Sequence, residues 1–228
     1  MKPTSHIVVA MVFIVTATFS LAETEAWRDH VVAAVRPGAV VARRGLDNDP
    51  LTQAVLFGQG GGKWSHVGIG VQLIPDGQIY IESAMPGVGT KLEKPEVFFN
   101  AEQASAGEVL LTPEDKVDAV QGAAKSFLGR PFDDQLALDD DGKKLYCTEL
   151  VAMTLRSAGV IKDLPMRSVP FLSQKVIAPD DLVAAVRATV RIPVNVTTDS
   201  GNVTGNSGER DRWVGVARFN FMPSCFFG

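Results

Sequence analysis

Cysteine and histidine are scarce in this chain. Only Cys147 and Cys225, with His6, His30 and His66, occur among 228 residues. They are too few and too far apart to show the ligand spacing of a zinc site, so no metal is expected. Positive charge is short as well, with 22 basic residues against 26 acidic ones. A nucleic-acid binder needs clustered Lys and Arg to replace counterions, so that class of partner is excluded. No apolar run reaches the roughly 18 residues of a membrane span. The longest, Ile7 to Leu21, follows Lys2 and ends in Ser20-Leu21-Ala22. It reads as an export leader over residues 1–22, cleaved before Glu23, which places the mature chain in the periplasm or outside the cell. Cleavage removes Lys2 and His6 and leaves no cysteine at the new terminus, so lipid attachment is not indicated. In an oxidising compartment two cysteines suggest either one disulfide or one thiol kept free as a nucleophile.

With 46% hydrophobic and 21% charged residues, the chain can bury a full core. One main domain is expected over 23–192. Residues 27–36 repeat apolar positions at helical spacing and stop at Pro37-Gly38. "AVVARR" (39–44), "SHVGIGVQLI" (65–74), "QIYIESA" (78–84) and "GEVLLT" (107–112) read as strands. "LTQAVLF" (51–57) is a short helical run, and Pro75-Asp76-Gly77 is a turn between two strands. Thr112-Pro113-Glu114-Asp115 predicts a helix start, with Thr112 as cap and proline at the first helical position, running to about Leu128. A second strong helix spans "YCTELVAMTLRSAG", closed by Gly159. From 193 to 228 the composition turns polar and glycine-rich, with Asn-x-Thr triplets at Asn195 and Asn202, and reads as a mobile loop before a last strand, "RWVGVARFNF". Short strands mixed with a few helices make the expected class α+β.

"GQGGGK" (58–63) invites a phosphate-loop reading, which fails. Phe57 stands where the first glycine should be, Trp64 where the hydroxyl should be, and the order is helix to strand. The cluster is expected to be a flexible surface rim. No serine has the glycine neighbours of a hydrolase elbow.

Cys147 is the better nucleophile candidate. It opens a helix, where unpaired N–H groups and the helix dipole favour a thiolate and can also serve an oxyanion. It lies one turn before Leu150 and Val151, so a buried small hydrophobe is the alternative. His66 heads an apolar strand as a base or as a packed core histidine. Glu82 is a lone acid among apolar neighbours, either partnered by a histidine Nδ1–H or facing water at an edge. Strict hairpin register sets His66 opposite residues near 86, so a Glu82–His66 contact requires a bulge or a longer loop.

"SHVGIGV", "IYIESA", and "LGRPF" followed by an acidic loop and "KLYCTELV" occur in that order. Together they resemble the permuted members of the NlpC-type papain-like cysteine hydrolases, the YiiX-like group, over roughly residues 36–160. The resemblance implies a circularly permuted papain-like fold, a small antiparallel sheet packed on helices. It further implies Cys147 as nucleophile, His66 as base and Glu82 as the group orienting the imidazole. Tyr146, Trp64 and Ser65, which flank the pair, become the expected substrate-binding residues. Tyr146 is otherwise an ordinary core aromatic. Phe132 departs from the family, which often has an aromatic hydroxyl after the Gly-x-Pro turn. The implied activity is hydrolysis of an amide or ester by acyl transfer, on cell-wall peptides or lipid-linked amides, with no cofactor and a possible association with the cell envelope. An acyltransferase would use the same residues. The rival class is a non-catalytic envelope-binding domain with a Cys147–Cys225 disulfide.

Overall fold

The computed structural model describes residues 27–189, apart from 75, 139–141 and 171. The expected leader, the Asn-x-Thr tail, the last strand and Cys225 lie outside the described residues. Helix α1 covers 27–34 and leads into strand β1, Val40–Gly45. Helix α2, Pro50–Gly58, follows; the Asp49 carboxylate caps it by accepting from Leu51 N and Thr52 N. Strands β2 (His66–Gln72), β3 (Ile79–Met85) and β4 (Gly89–Glu93) come next, then the single-turn helix α3, Pro95–Phe98. Strand β5, Ala104–Leu110, completes a five-stranded sheet of order β4-β3-β2-β1-β5, antiparallel throughout. A 3-10 turn, Glu114–Lys116, precedes helix α4, Val117–Phe127, and helix α5 is Cys147–Ser157. The short pair β6 (Met166–Ser168) and β7 (Lys175–Ile177) and helix α6 (Pro179–Thr189) follow. The α+β class expected from the sequence is therefore observed.

Both faces of the sheet are covered, which is why β1 and β2 read as nearly continuous apolar runs rather than alternating ones. Val40, Ala42, Val67, Ile69 and Val71 pack with Val120, Val151, Leu155 and Leu182 of the helices α4, α5 and α6. Val41 and Ile81 point the other way, into a smaller layer with Val31, Val35, Phe98 and Phe99. That second layer is thin, and two glycines make it so. A Cβ at Gly68 would lie 2.6 Å from Ile81 Cγ2, and one at Gly70 would lie 2.2 Å from Arg36 O. Gly70 instead exchanges hydrogen bonds with the α1–β1 connection, donating to Ala39 O and accepting from Gly38 N.

Two local expectations are corrected. Thr112 does not cap α4, because its hydroxyl donates to Gly38 O at 3.1 Å and ties the chain to the start of β1. The segment therefore opens with the 3-10 turn, and α4 proper begins at Val117. The glycine cluster is pinned, not loose. Asp180 at the start of α6 accepts from Lys63 N (2.7 Å) and Trp64 N (2.9 Å), while Gln59 Nε2 donates to Trp64 O. Gly60 and Gly61 take φ of 76° and 92°, and a Cβ at Gly62 would strike the Asp180 carboxylate at 2.5 Å. The glycines serve a tight exit from α2.

Candidate active site

The seam between β2 and β3 opens at one end. Their ladder runs from Gln72↔Ile79 only as far as Ile69↔Glu82, although β2 extends back to His66 and β3 on to Met85. Beyond that point Ser83, Ala84 and Met85 pair with β4 alone. The N-terminus of α5 is seated there. The Val67 N–H, next to the last ladder pairs, lies against the Cys147 thiol and favours its anion, as do the N–H groups of Thr148 and of Cys147 itself. Tyr146, extended at φ −92° and ψ 167°, offers no side-chain cap, so the first-turn N–H groups of α5 stay available to the sulfur.

Neighbouring residues fix this helix end in place. Tyr146 Oη accepts from Ile177 N at 3.0 Å, and Thr148 Oγ1 donates to Ile177 O at 2.5 Å, so β7 is gripped from both sides of Cys147. Leu145 N donates to Pro131 O at 3.0 Å and steadies the approach to the helix.

His66 lies on the thin side of the sheet, directly across from Arg43 of β1. Its ring stacks on Phe98, with centroids 5.4 Å apart and planes at 28°. Nε2 is buried and makes no hydrogen bond. Burial holds the His66 pKa well below its ordinary value, and the cations Arg43 and Lys91 push it the same way. The imidazole is therefore neutral and able to accept a proton. Burial also raises the Cys147 thiol, outweighing the backbone donors and Arg43, which act to lower it. The thiolate expected from the helix end is thus not the resting form. Both groups rest uncharged, Cys147 as the thiol and His66 as the neutral imidazole.

Glu82 is not the group that orients the imidazole. Cross-strand partners share a face. Glu82 faces Ile69 and Leu92, on the side of α4 and α5, whereas His66 faces the Phe98 side. Both Glu82 carboxyl oxygens are buried without a hydrogen-bond partner, and burial raises its pKa from 4.5 to about 8. The acid is protonated at neutral pH and belongs to the core. No bulge interrupts β2 to rotate His66 toward it, because the pairing with β1 is continuous from Val40↔Ile69 to Arg43↔His66.

A cavity of about 820 Å³ joins the remaining parts. Arg43, Ser65, His66, Tyr146 and Cys147 all line it. Leu51 and Val55 of α2, Met85, Phe132, Leu172 and Val176 make most of the rest apolar. Of the three expected substrate-contacting residues, Ser65 and Tyr146 reach the cavity and Trp64 does not. Trp64 is 2% exposed and packed in the main core, its ring covered by Lys63 Nζ at 4.3 Å. Ser65 Oγ also accepts from Gly45 N at 2.8 Å, which closes the bulged end of β1.

Two residues of the site escaped sequence reasoning. Phe98 is the surface on which His66 rests, and the run "EVFFN" gives no sign of that. Arg43 is 7% exposed, and its Nη1 donates to Phe98 O at 2.6 Å, with its guanidinium carbon 4.8 Å from the Phe98 centroid. A charge inside the apolar "AVVARR" was its only available signal.

No family model matches the chain, and no curated protein matches it. Five chains among the solved structures do. One is the crystal structure of the metalloprotein yiiX from Escherichia coli O157:H7, DUF1105. It superposes with a TM-score of 0.55 at 15% sequence identity, over 66% of this chain and 93% of that one. The likeness shows a shared fold. That neighbour is described as a metalloprotein. Among the described residues here, no group of three or more His, Cys, Asp and Glu side chains is placed to hold a metal ion. The described residues therefore do not fit a resident metal ion.

Proposed function

We propose that this chain is an exported cysteine hydrolase of permuted papain-like fold, acting on lipid-type amides, with Cys147 as nucleophile and His66 as base. One observation carries the reading. The Cys147 sulfur sits at a helix N-terminus against backbone N–H groups, in a cavity that it shares with a neutral, unpartnered imidazole. The steps follow from those groups. His66 takes the thiol proton as sulfur bonds to the carbonyl carbon, and the oxyanion that forms meets the N–H groups of Val67 and of the first turn of α5. The C–N bond then breaks, and the amine leaves with the proton from His66. Water adds to the thioester with His66 as base, the C–S bond breaks, and the thiol is restored. The mostly apolar lining favours an acyl chain over a cell-wall peptide, since a peptide needs polar partners along its length.

The test uses N-fatty-acyl amino acids and fatty-acyl 4-nitroanilides of increasing chain length, with muropeptides as the contrasting class. Release of amine is expected to rise with chain length and to vanish in Cys147→Ala and His66→Ala. Residual wild-type-like turnover in Cys147→Ala refutes the assignment. A Cys147–Cys225 bridge in the folded, oxidised chain, with no alkylatable thiol, would favour the non-catalytic envelope-binding class instead.

A further inference from the structure

Arg43 is a buried cation with no ion-pair partner among the described residues. At 7% exposure its guanidinium is largely removed from water. Only Nη1 is engaged, by Phe98 O at 2.6 Å and Gln103 Oε1 at 3.4 Å. Among the described residues Nε and Nη2 make no hydrogen bond, and they are not among the sealed, unpartnered atoms. Two acids act on it without pairing with it: Glu93, already paired with Lys91 at 2.8 Å, and Asp49, which lines the same cavity and is occupied in capping α2. Burying a guanidinium that lacks a direct ion-pair partner is costly, and a bound anion can supply that partner. Arg43 lines the same cavity as Cys147 and His66, and the rest of that cavity is mostly apolar.

We propose that Arg43 is the anion-recognition group of this cavity, and that it holds the carboxylate of a substrate whose apolar remainder lies along α2 and β7. The ligand class is a monocarboxylate with an apolar tail or an apolar acyl substituent. A planar guanidinium with two donors left over matches a carboxylate bidentately. If the hydrolase reading holds, this carboxylate marks the substrate and fixes the scissile carbonyl over Cys147. The anion site itself requires no reactive thiol.

The experiment separates the two. Binding of hexanoate is measured by the rise it causes in the unfolding midpoint of the full-length Cys147→Ser chain, with hexanamide as the uncharged control. Hexanoate is expected to raise the midpoint saturably and hexanamide to leave it unchanged. Hexanoate affinity is expected to fall at least about tenfold in Arg43→Gln, the scale of one lost charge-assisted pair. Arg43→Lys, which keeps the charge and spares the fold, is expected to lose less than Arg43→Gln. A hexanoate effect that is absent, is matched by hexanamide, or survives in a folded Arg43→Gln overturns the proposal. Where Arg43→Gln does not fold, the hexanoate–hexanamide difference in the Cys147→Ser chain decides the matter alone. Failure of the hydrolase reading shows elsewhere, as an absence of iodoacetamide reactivity at Cys147 in the wild-type chain.

Discussion

Replacing Glu82 by glutamine keeps the shape of a buried side chain and removes its acid. The carboxyl group is inaccessible, faces Ile69 and Leu92, and has no partner on either oxygen. Burial lifts its pKa from 4.5 to about 8. The folded chain therefore binds more protons than the unfolded chain between those two values. The stability that Glu82 contributes as a neutral acid is complete below its unfolded pKa and is lost as pH rises through about 8. At roughly 1.4 kcal/mol per tenfold change in proton activity, the upper limit is near 5 kcal/mol. Relaxation and water entry bring the expected effect to about 2 kcal/mol. Glutamine has no such dependence. In urea unfolding, Glu82→Gln should match the wild type within about 0.5 kcal/mol near pH 5 and exceed it by about 2 kcal/mol near pH 8. Turnover of an acyl amide should stay within about threefold, since the carboxyl does not touch His66. A variant less stable than wild type near pH 8 would refute this placement. So would turnover as low as that of Cys147→Ala, because each requires an ionised carboxylate serving the imidazole.

His66 gives the opposite pH signature. Its folded-state pKa is depressed below 6.5, so the stability it permits is complete above that value and is lost as pH falls through the folded one. His66→Gln should flatten this acid-side loss in urea titrations, and the acid limb of kcat/KM should lie below pH 6.5 in the wild type. Cys147 should be alkylated by iodoacetamide with an apparent pKa at or above the ordinary thiol value, and Arg43→Lys should move it less than Arg43→Gln does; a midpoint well below that value would contradict the burial seen here. Asp180→Ala leaves the N–H groups of Lys63 and Trp64 without their acceptor. A loss of about 1–3 kcal/mol is expected, with faster tryptic cleavage after Lys63; unchanged protection would show that the glycine turn holds itself.

What the sequence disclosed depended on whether the signal was local. Helix α5 was legible because Leu150, Val151, Thr154 and Leu155 repeat at helical spacing and Gly159 ends the helix at φ 68°. Strands β2 and β3 showed as apolar runs on either side of a turn residue, Gly77, at φ 69°. Strand β4, "GTKLE", did not show, since it is polar and gains strand form only by pairing with β3. Helix α6 was not read either, although Pro179 and the acids at 180 and 181 mark a helix start. The site was half legible for the same reason. Cys147 and His66 stood out in the sequence at a helix start and a strand start, and that they line one cavity is a property of the fold. The face on which Glu82 lies depends on register, and one residue of register decides it. The role of Arg43 depends on which strand neighbours β2, and that is a property of topology alone.

If Cys147 and His66 act as the proposed nucleophile and base, the cation beside His66 has a physical consequence. An ion pair of thiolate and imidazolium formed in advance would place a positive ring against Arg43 and Lys91 in a buried site. That state is penalised twice, by desolvation and by like charge. The neutral pair avoids both, so proton transfer from Cys147 to His66 belongs with carbon–sulfur bond formation rather than before it. A carboxylate on Arg43 alters this balance. Burial is the larger cause of the depressed imidazole, but a carboxylate offsets the Arg43 charge that adds to it, at an effective dielectric well below that of water, and so makes His66 a stronger base when the cavity is filled. On the proposed reading recognition is coupled to chemistry: the group that selects an anionic substrate is the one whose neutralisation readies the base, and an empty cavity keeps its thiol protonated.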